Sequence, residues 1–243
     1  MSNYIHLEEI DSTSNYLKKI LSENEVSEGT IVVADFQTGG RGQRGNSWES
    51  EKGQNLTFSI LLKPDFVSAN KQFIISQIIA LAIKDVLDRY ADGISIKWPN
   101  DIYWNNSKIC GILIENSLIG NYIQQSIAGI GININQTEFR SDASNPISLS
   151  MVTGNSYNLH EILDKITNSI LFYYQLAKDG NTFEIVSLYK NALFRKNGYH
   201  FYNDGIEDFE AKINDIEPSG ILVLEKPDGK IRKFAFKEIK YIL

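Results

Sequence analysis

The sequence predicts an α/β unit over residues 1–196 followed by a small all-β unit over residues 197–243. Two observations carry this reading. Apolar runs of strand type alternate with stretches of helical period up to about residue 196, and beyond it only short, closely spaced strands remain. The balance of 42% hydrophobic and 22% charged residues is that of a globular protein with enough apolar side chains for a sizeable core.

Taken in order, Tyr4 to Leu7 alternates as a short strand. Asp11-Ser12-Thr13-Ser14 then offers capping oxygens to a helix carrying Tyr16, Leu17, Ile20 and Leu21 on one face. Thr30 to Phe36 is β-branched and strand-like. Thr38 to Gly53 is glycine-rich and polar, hence a long loop, and Leu56 to Leu62 returns to strand character. Residues 69–90 hold the clearest helical pattern, with Phe73, Ile74, Ile78, Leu81, Ala82, Val86 and Leu87 on one side. Ile94 to Trp98 is a strand stopped by Pro99. Asn105-Asn106 marks a hairpin turn, because asparagine tolerates positive φ. Strands at Ile109 to Glu115 and Tyr122 to Ile134 join through Gly120-Asn121. Asn158 caps a long helix, and Thr182 to Leu193 forms another. The final unit reads as strands at Tyr199 to Tyr202, Glu207 to Ile216, Ile221 to Leu224 and Ile231 to Phe236, a pattern that suggests a small barrel.

The formal charge of −6 disfavours general nucleic-acid binding, which rests on basic side chains meeting phosphates. The single Cys110 permits no internal disulfide and fits a reducing compartment. The N-terminus lacks the pattern of a secretory signal, and no apolar stretch approaches the ~20 residues that span a bilayer, so a cytoplasmic protein without membrane partners is expected.

Four segments carry chemistry. In Gly39-Gly40-Arg41-Gly42-Gln43-Arg44-Gly45-Asn46-Ser47-Trp48 the glycines let backbone approach a ligand, and two arginines offer bidentate recognition of phosphate or carboxylate. The spacing is neither a P-loop nor a dinucleotide fingerprint, and a mobile surface loop accounts for it equally well. In Lys97-Trp98-Pro99-Asn100-Asp101 the proline ends a strand, freeing Asn100 and Asp101 to face a cleft; an amide beside a carboxylate suits magnesium, and a plain turn suits the same residues. Alternation along Lys108-Ile-Cys-Gly-Ile-Leu-Ile-Glu115 puts Lys108 and Cys110 on one face, Cys110 reading as core packing rather than as a nucleophile. In Ala128-Gly-Ile-Gly-Ile-Asn-Ile-Asn135 the in-strand glycines mark close approach, and Asn133 and Asn135 need partners wherever they are buried. His6, His160 and His200 fall in no metal or triad spacing.

In order and spacing these segments, with Asp11-Ser-Thr-Ser14, resemble the biotin protein ligases over essentially the whole chain. The resemblance implies a class II synthetase-like α+β sandwich of the biotin/lipoate ligase type, with an SH3-like C-terminal β-barrel. It implies an enzyme that uses ATP and Mg2+ to adenylate biotin and passes the biotinyl group to a lysine of a biotin carboxyl carrier protein. By position it implies biotin contacts from Ser12, Thr13, Ser14, Gln37, Gly40, Arg41, Gly42, Gln43, Lys108 and Gly111. Nucleotide contacts fall on Arg41, Arg44, Trp48, Lys97, Asn100 and Asn133, with Trp48 as an aromatic lid over adenine. Lys108, Arg41 and Asp101 are the implied catalytic residues, and Asp101 with Asn133 the magnesium-linked pair.

Two positions depart from the family's usual pattern. Ser14 replaces an asparagine, and Gln43 stands where arginine is common, with Arg44 as the neighbouring compensation. The first motif begins at Asp11, which leaves no room before it for the winged helix of the repressor members, so no DNA binding is expected. Homodimers through a sheet edge occur in the family. The competing readings are a lipoate or octanoate ligase or transferase of the sister family and a non-catalytic biotin sensor.

Overall fold

The computed structural model describes residues 3–43, 47–140 and 145–242. Strand β1 (Tyr4–Ile10) leads into helix α1 (Thr13–Glu23), whose N-terminus is capped by the Ser12 side chain, as the run of hydroxyl residues predicts. Then follow β2 (Ile31–Gln37), the fully buried β3 (Leu56–Leu62), a single 3-10 turn at Ala69–Lys71, and helix α2 (Phe73–Leu87). Four strands come next: β4 (Ile94–Lys97), β5 (Asp101–Trp104), β6 (Ser107–Ile119) and β7 (Tyr122–Ile132). Asn105 takes the positive φ of 49° that the hairpin requires. Helices α3 (Leu149–Thr153), α4 (Leu159–Lys178) and α5 (Thr182–Asn191) complete the larger unit. Asn158 caps α4 through two backbone N–H groups, whereas the short α3 carries no long apolar period and escapes a sequence reading.

The seven strands form one sheet in the order β1-β2-β3-β7-β6-β5-β4. Only β1 and β2 run parallel, joined by α1 as a crossover, and the remaining pairs are antiparallel. The two faces are unequal. Phe58, Ile60, Ile130 and Ile132 join α2, α4 and α5 in the main core, which explains why most of α2 is apolar and buried. On the other face Leu17 of α1 packs against Val32, Leu61 and Ile127 and covers only the β2-β3-β7 part of the sheet. The β6-β5-β4 part of that face is left open.

The C-terminal strands β8 (His200–Asn203), β9 (Asp208–Ile216), β10 (Leu222–Glu225), β11 (Ile231–Phe234) and β12 (Lys240–Tyr241) form an antiparallel sheet in the order β11-β10-β9-β8-β12, consistent with the expected SH3-like unit. Among the described residues no pairing joins β11 to β12, so the ladder itself does not close. This unit is tied to the larger sheet. Ile96 of β4 exchanges backbone hydrogen bonds with Ala192 and Phe194, and the Trp98 indole donates to the Gly220 carbonyl at 2.9 Å while meeting Phe236 edge-on.

Candidate functional site

The uncovered part of the sheet face forms the floor of a cavity of about 590 Å³. A single row of paired Cα positions crosses it: Lys97, Asp101, Gly111, Gly131 and Thr57, one from each of β4, β5, β6, β7 and β3. Gly129 lies next along β7, on the same face. The glycines are there for space. A Cβ on Gly129 would lie 2.6 Å from Ser14 Oγ, and one on Gly131 would lie 2.3 Å from Cε2 of Trp48.

At the β3-β7 end, α1 delivers hydroxyl groups from its first turn. Ser14 Oγ and Thr13 Oγ1 lie 2.9 and 2.7 Å from Ser59 Oγ, and Gln37 Oε1 accepts from the Thr13 amide (2.8 Å) and hydroxyl (3.1 Å). Ser12, Thr13, Ser14, Gln37, Gly42, Gln43 and Gly111 all line the cavity, with Gly40 packed behind against the Trp48 backbone and Gln37. Ser59 escapes a sequence reading because it sits in an otherwise apolar strand with no motif to mark it.

The middle of the cavity is electrostatic. Lys108 Nζ lies 2.6 Å from Asp101 Oδ1, though the angle leaves that oxygen without a well-directed hydrogen bond. Asn133 is buried; its Nδ2 donates to the Ile147 carbonyl at 3.2 Å, and its Oδ1 has no hydrogen-bond partner among the described residues. Asn100 commits its Nδ2 to the Ile112 carbonyl. Arg41, on the loop, reaches Glu115 at 3.3 Å, and Glu115 also holds Lys18 at 2.6 Å. Among the described residues no cluster of three or more His, Cys, Asp and Glu side chains is arranged to hold a metal. The orphaned Asn133 oxygen and the Asp101 carboxylate, which line the same cavity, nevertheless fit magnesium, which takes one or two protein oxygens and keeps waters and phosphate for the rest.

One expectation is corrected. Lys108 and Cys110 do not share a face, because the β5-β6 register shifts between Ile102 and Tyr103, so that Ile102 pairs with Cys110 and Tyr103 with Lys108. This bulge makes Ile109 the extra residue. Lys108 therefore faces the cavity with Gly111 and Leu113, while Cys110 is fully buried in the core, where burial raises its thiol pKa. Trp48 lines the cavity as expected, but as a ring laid on the strand glycines, its indole N–H buried and unpartnered among the described residues, with Lys108 Nζ 5.8 Å from the ring centroid. Arg44 falls outside the described residues.

At the β4 end, Lys97 Nζ lies 2.9 Å from the Tyr103 hydroxyl and 4.6 Å from the centre of that ring. It lies 5.2 Å from the ring of Tyr241, on the last strand of the C-terminal unit. Burial, aided by the charges of Lys108 and Arg195 and opposed by Asp101, holds the Lys97 ammonium below the ordinary lysine value. Tyr103 is raised, first by burial and then by Asp101.

A sheet half covered by one helix, with cations and an unpartnered amide oxygen grouped over a glycine floor, suits a protein that binds anionic groups such as carboxylates and phosphates. The model of the biotin/lipoate A/B protein ligase family matches residues 7–133, and the chain belongs to that family. It is 29% identical over 248 residues to the bifunctional ligase/repressor BirA of Bacillus spizizenii, covering 99% of this chain and 74% of that one. To the biotin–[acetyl-CoA-carboxylase] ligase of Paracoccus denitrificans it is 28% identical over 209 residues, covering 82% and 85%. The structure of the Aquifex aeolicus biotin protein ligase in complex with biotin and ATP superposes with a TM-score of 0.82 at 28% identity, each chain covered to 100%.

Proposed function

We propose that this protein is an ATP-dependent biotin protein ligase, which adenylates biotin and transfers it to a lysine of a biotin carboxyl carrier protein. The observation that carries this reading is the Lys108–Asp101 pair, in one cavity with the unpartnered oxygen of Asn133, with a hydroxyl-lined pocket at one end and a half-buried cation at the other.

The acid lies toward Ser12, Thr13, Ser14 and Gln37, and its carboxylate reaches Lys108. In the first step a carboxylate oxygen attacks the α-phosphorus of ATP; the bond to the bridging oxygen breaks, and pyrophosphate leaves with the electron pair. Two anions must meet there, and Arg41 and Lys108 offset their repulsion with fixed positive charge. A magnesium ion held by Asp101 and Asn133 Oδ1 would neutralise triphosphate oxygens. In the second step the amine of the carrier lysine attacks the acyl carbon of the anhydride and AMP departs. That amine must first lose a proton, which at pH 7 costs roughly 4–5 kcal/mol. Asp101 is the candidate base, a role that competes with its holding the ion. Trp48 and the Gly40–Gln43 segment cover the cavity and keep water from the anhydride.

The deciding experiment is exchange of pyrophosphate into ATP with biotin, lipoate and octanoate in parallel. Exchange with biotin alone supports this reading. Exchange with lipoate or octanoate moves the protein to the sister activity, and biotin binding without exchange makes it a sensor, with Gln43 the first residue to reverse.

A further inference from the structure

Three cations line the cavity among the described residues, and two are committed: Arg41 to Glu115 and Lys108 to Asp101. Lys97 has no carboxylate within ion-pair distance among them. It is held instead by a hydroxyl and two aromatic rings. A half-buried ammonium with no carboxylate in ion-pair contact is costly, and a ring face and the more distant Asp101 offset only part of that cost. The site therefore favours an anion.

Position says which anion. Across the sheet the order is β3-β7-β6-β5-β4, with the hydroxyl pocket over β3 and β7, Lys108 on β6 and Lys97 on β4. With strands spaced about 4.8 Å apart, Lys97 stands roughly two strand widths beyond Lys108, on the side away from the acid. Phosphoryl transfer needs the attacking and leaving oxygens roughly in line across phosphorus. An acid that approaches from the β7 side sends its leaving group toward β4. The ammonium there is held in place beforehand: β4 is bonded to residues 192 and 194, Trp98 is pinned to Gly220, and Tyr241 of β12 covers the charge.

We infer that Lys97 is the seat of the pyrophosphate leaving group, and that Tyr241 is a positioning residue through which the C-terminal unit acts on adenylation but not on transfer. This rests on the ligase reading for its place in the reaction. As the bond between the α-phosphorus and the bridging oxygen breaks, negative charge grows on pyrophosphate and is met by Lys97. The second step contains no pyrophosphate and gives Lys97 nothing to hold.

The test compares wild type, Lys97→Met, Lys97→Arg, Tyr241→Leu and Tyr241→Phe in three measurements. These are calorimetric binding of inorganic pyrophosphate without acid, KM for pyrophosphate in the exchange reaction, and single-turnover transfer from preformed biotinyl-adenylate. Lys97→Met is expected to weaken pyrophosphate by about tenfold or more in the first two while transfer stays within about twofold, and Lys97→Arg to restore part of the loss. Tyr241→Leu follows Lys97→Met in direction, and Tyr241→Phe, which keeps the ring, follows wild type. Equal losses in exchange and transfer would reduce Lys97 to a structural role and overturn the inference. So would pyrophosphate affinity that is unaltered in Lys97→Met or undetectable in wild type. If no acid supports exchange in wild type the ligase reading fails, and the binding arm still decides whether Lys97 holds pyrophosphate.

Discussion

The Trp48 indole fills the volume that a side chain at Gly131 would need: a single methyl group there would come within 2.3 Å of the ring. The loop that carries Trp48 therefore closes on the sheet only because β7 gives up a side chain at that position. Gly131→Ala is expected to lift the indole off the floor, at about 1–3 kcal/mol if the loop stays closed and less if it opens. The fluorescence of Trp48, isolated by difference against a Trp48→Phe variant, should shift to the red, as for a solvated indole. An unshifted spectrum would mean that the strand, not the loop, gives way.

Lys108→Gln is expected to lower the rate of adenylation by about 100- to 1000-fold, the scale of losing one preorganised charge at a reacting centre. Rapid-quench measurement of adenylate formation checks this directly. Asp101→Asn is expected to slow transfer from preformed adenylate as well. Full-rate transfer in that variant would remove Asp101 as the base and leave it the magnesium role alone.

In the proposed reaction Arg41 exchanges Glu115 for a phosphate. Both partners are partly exposed, so the pair is worth no more than about 1 kcal/mol. Glu115→Ala should therefore leave the melting temperature nearly unchanged and lower KM for ATP by up to about fivefold. A higher KM would show instead that Glu115 aims Arg41 rather than restrains it.

Asp204, in the turn between β8 and β9, accepts from the amides of Ile206 and Glu207 at 2.9 Å each and pairs with Arg232. The Glu207 amide first, then that of Ile206, and then Arg232 hold its carboxyl down at about 2, below the ordinary 3.8. A depressed carboxylate stabilises the fold above its unfolded value and loses that contribution as pH falls toward the folded one. Urea midpoints should therefore drop between pH 3.8 and about 2 in wild type, and more shallowly in Asp204→Asn. Parallel curves would show that the loop orders without the charge.

What the sequence revealed was whatever repeats within a few residues. The period of α2, the cap at Ser12 and the turn at Asn105 are all local signals, and each sits where its pattern puts it, while the motifs around Arg41, Lys97 and Lys108 come to line one cavity. What stayed hidden depends on pairing between distant strands. Ser59 enters the site only because β3 runs beside β7 under α1, and Tyr241 only because the final two-residue strand folds back to β8 beside Phe194. The orientation of Lys108 was misread for the same reason, since alternation counts residues along one strand and a bulge is defined by two.

That bulge has a consequence for how the chain can change. The extra residue reverses the parity of the strand at the point where core gives way to chemistry, so one stretch of backbone serves both. Removing a single residue between Asn105 and Ile109 would absorb the bulge and restore strict alternation, putting Lys108 on the face of Cys110 and sending an ammonium into the hydrocarbon interior. The length of this turn is therefore fixed by phase rather than by reach. Insertions or deletions that most surface hairpins would tolerate should here be silent only in pairs.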